Sequence, residues 1–203
     1  MNYSSSLEIL KNVFGYDAFR PYQEDIINSV LSGQDTVVLM PTGGGKSLCY
    51  QIPALVKSGT AIVISPLIAL MKDQVDALRL HGVAAAYLNS TQSPEEQSHI
   101  FSQLRSGELK LLYLAPERLL GKEEEFISFI KDQSISLVAI DEAHCISSWG
   151  HDFRPEYLLL AKIGKVLDGD VPVIALTATA DELTRKDIID KLELPDPKVF
   201  ITG

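Results

Sequence analysis

The chain is poor in cysteine, tryptophan and positive charge, and each shortage narrows what it can be. Its 203 residues hold two cysteines, Cys49 and Cys145, and one tryptophan. The cysteines lie far apart and lack metal-ligand spacing. Neither a disulfide scaffold nor a zinc module is expected, and both read as reduced thiols of a cytoplasmic protein. No apolar run approaches the ~20 residues that cross a bilayer, so no membrane partner is expected. The start, MNYSSSLEIL, has neither the basic region nor the long apolar stretch of a secretory leader. Lysine and arginine number 18 against 27 acids, a net charge of −9. That excludes a generally basic nucleic-acid coat, while a local patch can still act. The chain alone is expected to bind nucleic acid weakly.

What is present is a globular composition, 46% hydrophobic, with no repeats. It suffices for one α/β domain over residues 1–203. Strand-like runs occur at 36–40, 61–65, 85–88, 111–114, 137–140 and 173–176, with a further one at 198–201. Helical stretches occur at 21–31, 46–56, 67–80, 94–106, 124–130, 157–167 and 181–192. The alternation predicts a mostly parallel sheet with helices on both faces. Each run ends in a polar or punctuated stretch, and parallel strands place these on one edge, where open α/β sheets bind ligands. Strand order is not legible.

Two of those stretches carry most of the chemistry. Residues 40–47, MPTGGGKS, follow an apolar run and precede a helical one. Gly43, Gly44 and Gly45 let backbone N–H groups turn onto phosphate oxygens, and the helix start adds positive potential. Lys46 can reach the outer phosphates, and the Ser47 hydroxyl can ligate Mg²⁺. Met40 stands where the generic phosphate loop begins with glycine, so a plain helix entry remains an alternative. The second stretch, Asp141-Glu142-Ala143-His144, follows the apolar run 136–140. Two adjacent acids at a buried strand end are poor core residues, and suit a metal ion and a polarised water.

With these motifs in place, the chain resembles the first motor domain of RecQ-family DNA helicases, within helicase superfamily 2. FGYDAFRPYQ (14–23) is similar to the family's adenine motif and MPTGGGKSLCYQIPA (40–54) to its phosphate loop. SPLIALMKDQV (65–75) and YLAPERL (113–119) are similar to its strand-contact motifs. DEAHCISSWGHDFRPEY (141–157) resembles its acidic motif joined to an aromatic-rich loop, and ALTATA (175–180) its coupling motif. The first loop glycine is commonly absent in that family. The resemblance implies a RecA-like P-loop NTPase fold, a three-layer sandwich, with ATP and Mg²⁺ as cofactors.

By that resemblance Tyr16, Arg20 and Gln23 hold adenine, with Thr42 joining the phosphate loop. Ser47 and Asp141 hold the metal, and Lys46 and Glu142 are catalytic, Glu142 as general base. His144, Thr177 and Thr179 couple the site to a second motor domain of the same polypeptide. Ser65, Arg118, Trp149, His151, Phe153 and Arg154 meet single-stranded or forked DNA. The residues alone leave other readings open. Gln23 can be a solvated helix residue, Tyr16 a packing residue, and Trp149 and Phe153 core. Arg118 can pair with Glu117, His144 can be a hydrogen-bonded loop residue, and the threonines can cap the next helix. The resemblance further implies 3′-to-5′ unwinding, genome maintenance in DNA repair and recombination, and a nucleoid-associated setting. It also implies that the chain is one part of a longer enzyme, binding nucleotide without unwinding alone. A DEAH-type RNA helicase domain and a non-catalytic nucleotide-binding regulatory module are the alternatives.

Overall fold

The computed structural model describes residues 5–41, 43, 45–119, 121–150, 152–167, 171–178 and 181–202. Thr42, Gly44, His151 and Thr179 lie outside the described residues. In chain order the elements are α1 (Ser6–Asn12), α2 (Gln23–Leu31), β1 (Thr36–Leu39), α3 (Leu48–Val56), β2 (Thr60–Ile64), α4 (Ile68–Leu80), β3 (Ala85–Leu88), α5 (Pro94–Ser106), β4 (Leu111–Leu114), α6 (Glu123–Lys131), β5 (Ile135–Ile140), α7 (Ala161–Val166), β6 (Val173–Thr177), α8 (Glu182–Leu192) and β7 (Lys198–Ile201). Short 3₁₀ turns occupy Pro116–Leu119, Ala143–Ile146 and Pro155–Leu160.

The strands form one sheet in the order β3-β4-β2-β5-β6-β1-β7, with every pair parallel. Strand side chains alternate faces, and here both faces are apolar. Val37, Ile62, Leu112, Val138 and Ala175 pack with α5–α8 in one core. Val38, Ala61, Val63, Leu111, Ala139 and Ile174 pack with α1–α4 in the other. A sheet buried on both sides explains the unbroken apolar runs. The order also brings β5, β6 and β1 side by side, so residues about a hundred positions apart share one stretch of the carboxyl edge.

Three local features depart from the sequence reading. The helix α1 was not expected, yet Ser5 caps it by accepting from the Glu8 amide at 3.2 Å. That is one half of a Ser-x-x-Glu capping box. The stretch 157–167 is split, with a 3₁₀ turn through Leu160 before α7. The helix expected from residue 21 begins at Gln23, because Tyr22 adopts a left-handed φ of 72°.

Candidate nucleotide and nucleic-acid site

The phosphate loop joins β1 to α3, and its glycines have a conformational reason. Gly43 and Gly45 both take φ of +84°. A Cβ on Gly45 would meet Gln23 Nε2 at 2.3 Å. The loop is braced from the segment before α2. Gln23 Nε2 donates to the Gly45 carbonyl at 3.1 Å, Gln23 Oε1 accepts from the Arg20 amide at 2.8 Å, and Arg20 also donates to the Gly43 carbonyl. Gln23 is 1% exposed, so it is not a solvated helix residue. Each carboxamide atom keeps one hydrogen-bonding position beyond these contacts.

Above the loop lies a cavity of about 310 Å³ lined by Tyr16, Arg20, Gln23, Gly45, Ser47 and, on its apolar side, Phe14 and Leu78. Tyr16 is 52% exposed, so its ring is not committed to the core. Ser47 opens α3 without a side-chain capping bond.

The acids stand at the end of β5. Asp141 donates its amide to the Ile64 carbonyl at 2.9 Å, and its Oδ1 accepts from the Glu142 amide at 3.0 Å. Burial pushes the Asp141 carboxyl up to about 6, and the Glu142 carboxylate adds to the rise. The Glu142 amide and the Lys46 ammonium pull it back, which places the lysine's charge close to this acid. Glu142 is held at φ 52°, ψ 44°, a left-handed conformation unfavourable for a residue with a Cβ. A buried carboxyl raised this far within reach of the Lys46 charge, at the sheet edge where Ser47 opens α3, fits a divalent cation between polyphosphate and protein. Asp141 and Ser47 are the residues that would hold it.

His144 is 6% exposed, with Nδ1 2.8 Å from Thr177 Oγ1 and 3.5 Å from Glu142 Oε2. Thr177 therefore does not cap the following helix. That task falls to Asp181, which accepts from the Thr184 amide at 2.7 Å. The Thr177 carbonyl accepts the Met40 amide at 3.1 Å.

The loop after the acids is exposed at its aromatic tips. Trp149 is 64% and Phe153 40% exposed, which removes the core alternative for both. Ser147 is buried and anchors the loop, donating to Asp187 Oδ2 at 2.7 Å and accepting from the Trp149 amide at 3.1 Å. Gly150 passes so close to the chain that a Cβ would meet the His144 carbonyl at 2.8 Å. Arg154 donates its amide to the Cys145 carbonyl at 2.8 Å, and its guanidinium reaches Asp152 at 3.4 Å.

Two further expected strand contacts differ in character. Arg118 donates to Gln97 Oε1 at 2.9 Å. Ser65 is only 5% exposed, and its Oγ accepts from the Leu67 amide at 3.4 Å at the entry to α4. Burial therefore turns that hydroxyl toward the chain, and a direct phosphate contact is poorly served.

Several supporting residues escaped the sequence reading. Tyr157, fully buried, donates to the Asp141 carbonyl at 3.1 Å. Tyr50 donates to Gln74 at 2.9 Å and lies 3.2 Å from the Tyr113 hydroxyl, which accepts from Gln51 Nε2 at 3.0 Å. Gln51 and Gln74 also line the cavity. The available signal was a lone hydroxyl in the otherwise aliphatic strand β4.

Comparison with known proteins follows the same lines. The family model described as DEAD/DEAH box helicase matches residues 20–188. The chain is 52% identical over 197 residues to the ATP-dependent DNA helicase RecQ of Haemophilus influenzae, covering 97% of this chain and 31% of that protein. It is 50% identical to the RecQ helicase of Bacillus subtilis, covering 96% of this chain and 33% of that one. It thus spans about a third of the length of these curated relatives. A solved structure described as a hypothetical ATP-dependent RNA helicase from Sulfolobus tokodaii superposes with a TM-score of 0.74 at 21% identity, over 97% of this chain and 56% of that one. At that identity the likeness concerns the fold, which is RecA-like.

Proposed function

Because the chain belongs to the DEAD/DEAH box helicase family, we propose that it is the ATP-binding motor domain of a RecQ-like DNA helicase. The observation that carries this reading is the exposure of Trp149 and Phe153 a few residues after the acids at the end of β5. A nucleotide switch and a stacking surface for bases are thereby one continuous piece of chain. The RecQ relatives named above, alike over nearly the whole chain, support DNA rather than RNA as the polymer.

In this reading ATP lies with its base in the cavity between Tyr16 and Arg20 and its phosphates on the loop 41–47. Magnesium, when bound, neutralises phosphate charge and helps polarise water. The chain's own residues do the rest. Lys46 balances the outer phosphates, Ser47 and Asp141 receive the ion, and Glu142 accepts the proton of the attacking water. Trp149 and Phe153 stack on bases, and Arg154 meets the backbone. A strand arriving at the loop pulls on Cys145 and His144, and so on the acids. Unwinding belongs to a polypeptide of the relatives' length, with a second motor domain facing this site. The 203 residues by themselves bind nucleotide and hydrolyse it slowly.

The test is Glu142→Gln. Nucleotide affinity, read by calorimetry with magnesium, should persist while single-turnover hydrolysis falls at least a hundredfold. Undiminished hydrolysis would remove Glu142 from its role. Stimulation by single-stranded RNA but not DNA would move the reading to an RNA helicase.

A further inference from the structure

The cavity above the phosphate loop holds two further carboxamides, and neither has a part in the nucleotide reading so far. Gln51 stands one turn beyond Ser47 in α3, its amide donating to the Ser47 carbonyl at 2.9 Å. Gln74 lines the cavity from α4, among the apolar Leu10, Ala77 and Leu78. Each is held by a buried phenol. Tyr50 donates its one hydroxyl proton to Gln74 Oε1 at 2.9 Å. The 3.2 Å contact between the Tyr50 and Tyr113 hydroxyls therefore takes its proton from Tyr113, whose oxygen accepts from Gln51 Nε2 at 3.0 Å. Burial pushes the Tyr113 phenol up to about 12 and the Tyr50 phenol well above its ordinary value, so both keep their protons. The chain of bonds runs one way, from Gln51 through Tyr113 and Tyr50 to Gln74. Its two ends are consequently opposite in kind. Gln51 is left with Oε1, an acceptor, and Gln74 with Nε2, a donor, and neither atom has a partner among the described residues.

We propose that Gln51 and Gln74 determine which purine the site takes, Gln51 Oε1 accepting from the 6-amino group of adenine and Gln74 Nε2 donating to its N1. Adenine carries that donor and that acceptor side by side. Guanine carries an oxygen and an N–H there, the reverse at both positions, so each carboxamide atom would meet its own kind. Gln23 serves the other side of the same base. Its remaining positions are the carboxamide pair that suits N6 and N7, and the amino group has a second hydrogen for Gln51. A largely apolar pocket with a few fixed polar groups is how ligand sites orient what they hold. Selectivity follows from what a wrong base leaves unmade, because a buried donor or acceptor without a partner costs more than a matched bond gains. Tyr50 and Tyr113 are positioning residues. They lock the carboxamides in the sense that adenine needs, and each bond of the chain strengthens the next. The assignment deepens the nucleotide reading above and rests on it.

The experiment measures displacement of a fluorescent N-methylanthraniloyl ADP from the 203-residue chain, with magnesium, by ATP and by 1-deaza-ATP, which has a C–H in place of N1. The wild type should hold 1-deaza-ATP about tenfold more weakly, the loss of one hydrogen bond in a buried site. Gln74→Glu keeps the oxygen that Tyr50 needs and removes the donor, so the preference for ATP should vanish or reverse, whatever happens to either affinity alone. A purely structural role for Gln74 would lower both nucleotides alike and preserve the tenfold ratio, and that result would overturn the proposal. Equal affinities in the wild type would also overturn it, with no variant needed, and would leave the nucleotide reading standing. Failure of the wild-type chain to bind the fluorescent nucleotide at all would remove that reading and this assignment with it.

Discussion

His144 Nδ1 lies 2.8 Å from Thr177 Oγ1, and this contact ties the end of β5 to the end of β6 inside the nucleotide site. Thr177 also receives the Met40 amide on its carbonyl, so one residue touches both the turn carrying Glu142 and the strand entering the phosphate loop. His144 and Thr177 are 6% and 1% exposed. At that burial a hydrogen bond has no solvent to exchange with, and a displacement of either partner is felt by the other. The turn carrying the acids and the strand entering the phosphate loop thus share one hydrogen-bonded partner, Thr177.

Thr177→Val keeps the shape of the side chain and removes the hydroxyl. The expected cost is about 1 kcal/mol, a net hydrogen bond, seen as a melting midpoint lower by roughly 2–4 °C. Nucleotide affinity should change little, while hydrolysis and its stimulation by a single strand fall together. A variant with lower stability but full stimulation would confine Thr177 to structure.

Asp141 gives a pH dependence with a definite sign. Its pKa in the fold is about 6, above its ordinary 3.8. The folded chain thus holds this proton more tightly than the unfolded chain does. The destabilisation is complete above about pH 6 and fades as pH falls toward 3.8, amounting to at most about 3 kcal/mol. Asp141→Asn should raise the melting midpoint of the nucleotide-free chain at pH 8, with the gain shrinking by pH 5. The same variant should lose magnesium-dependent ATP binding, and in the wild type that binding should weaken below pH 6. A melting midpoint unmoved at pH 8 would contradict the burial argument.

How much of this was readable beforehand differs by residue. The strands and the two motif loops were legible because a sheet buried on both faces needs unbroken apolar runs, and phosphate and metal chemistry needs glycine, lysine and acids at fixed offsets. Tyr157 and the Tyr50–Tyr113–Gln51–Gln74 network were not, because their roles depend on which strands are neighbours. Parallel register is set by long-range pairing, and one sequence carries no local mark of β5 lying between β2 and β6. For Ser65, which the resemblance assigns to strand contact, the fold offers a second account of the hydroxyl, 3.4 Å from the Leu67 amide at the entry to α4.

Gly45→Ala isolates the phosphate loop. The added methyl meets Gln23 Nε2 at 2.3 Å at a φ of +84°, so both a clash and a backbone penalty follow. Relief requires Gln23 to swing away, which breaks its bond to the Gly45 carbonyl and disturbs the base cavity. ATP and ADP affinity should drop at least about tenfold, a change of 1.4 kcal/mol or more, by calorimetry. The contrasting Gly43→Ala has no neighbour within 4 Å to strike among the described residues and bears the φ penalty, so it should lose less. Equal losses in the two would mean that backbone strain, and not the Gln23 brace, governs the loop.

Trp149→Ala separates the stacking role from the fold. At 64% exposure the indole contributes little to the core, so the melting midpoint should stay within about 1 °C. Single-strand affinity should fall by roughly 1–3 kcal/mol, the value of one stacked base, or about five- to 160-fold. Gly150→Ala should behave in the reverse manner. It leaves the indole in place, but its Cβ would press on the His144 carbonyl at 2.8 Å. The residue that moves then carries the imidazole bonded to Thr177. Stimulation of hydrolysis by the strand should therefore fail in Gly150→Ala even at saturating strand, whereas in Trp149→Ala part of it should return as strand concentration rises. Full stimulation in both variants would detach the loop from the acids and leave the DNA contact without a route to the nucleotide.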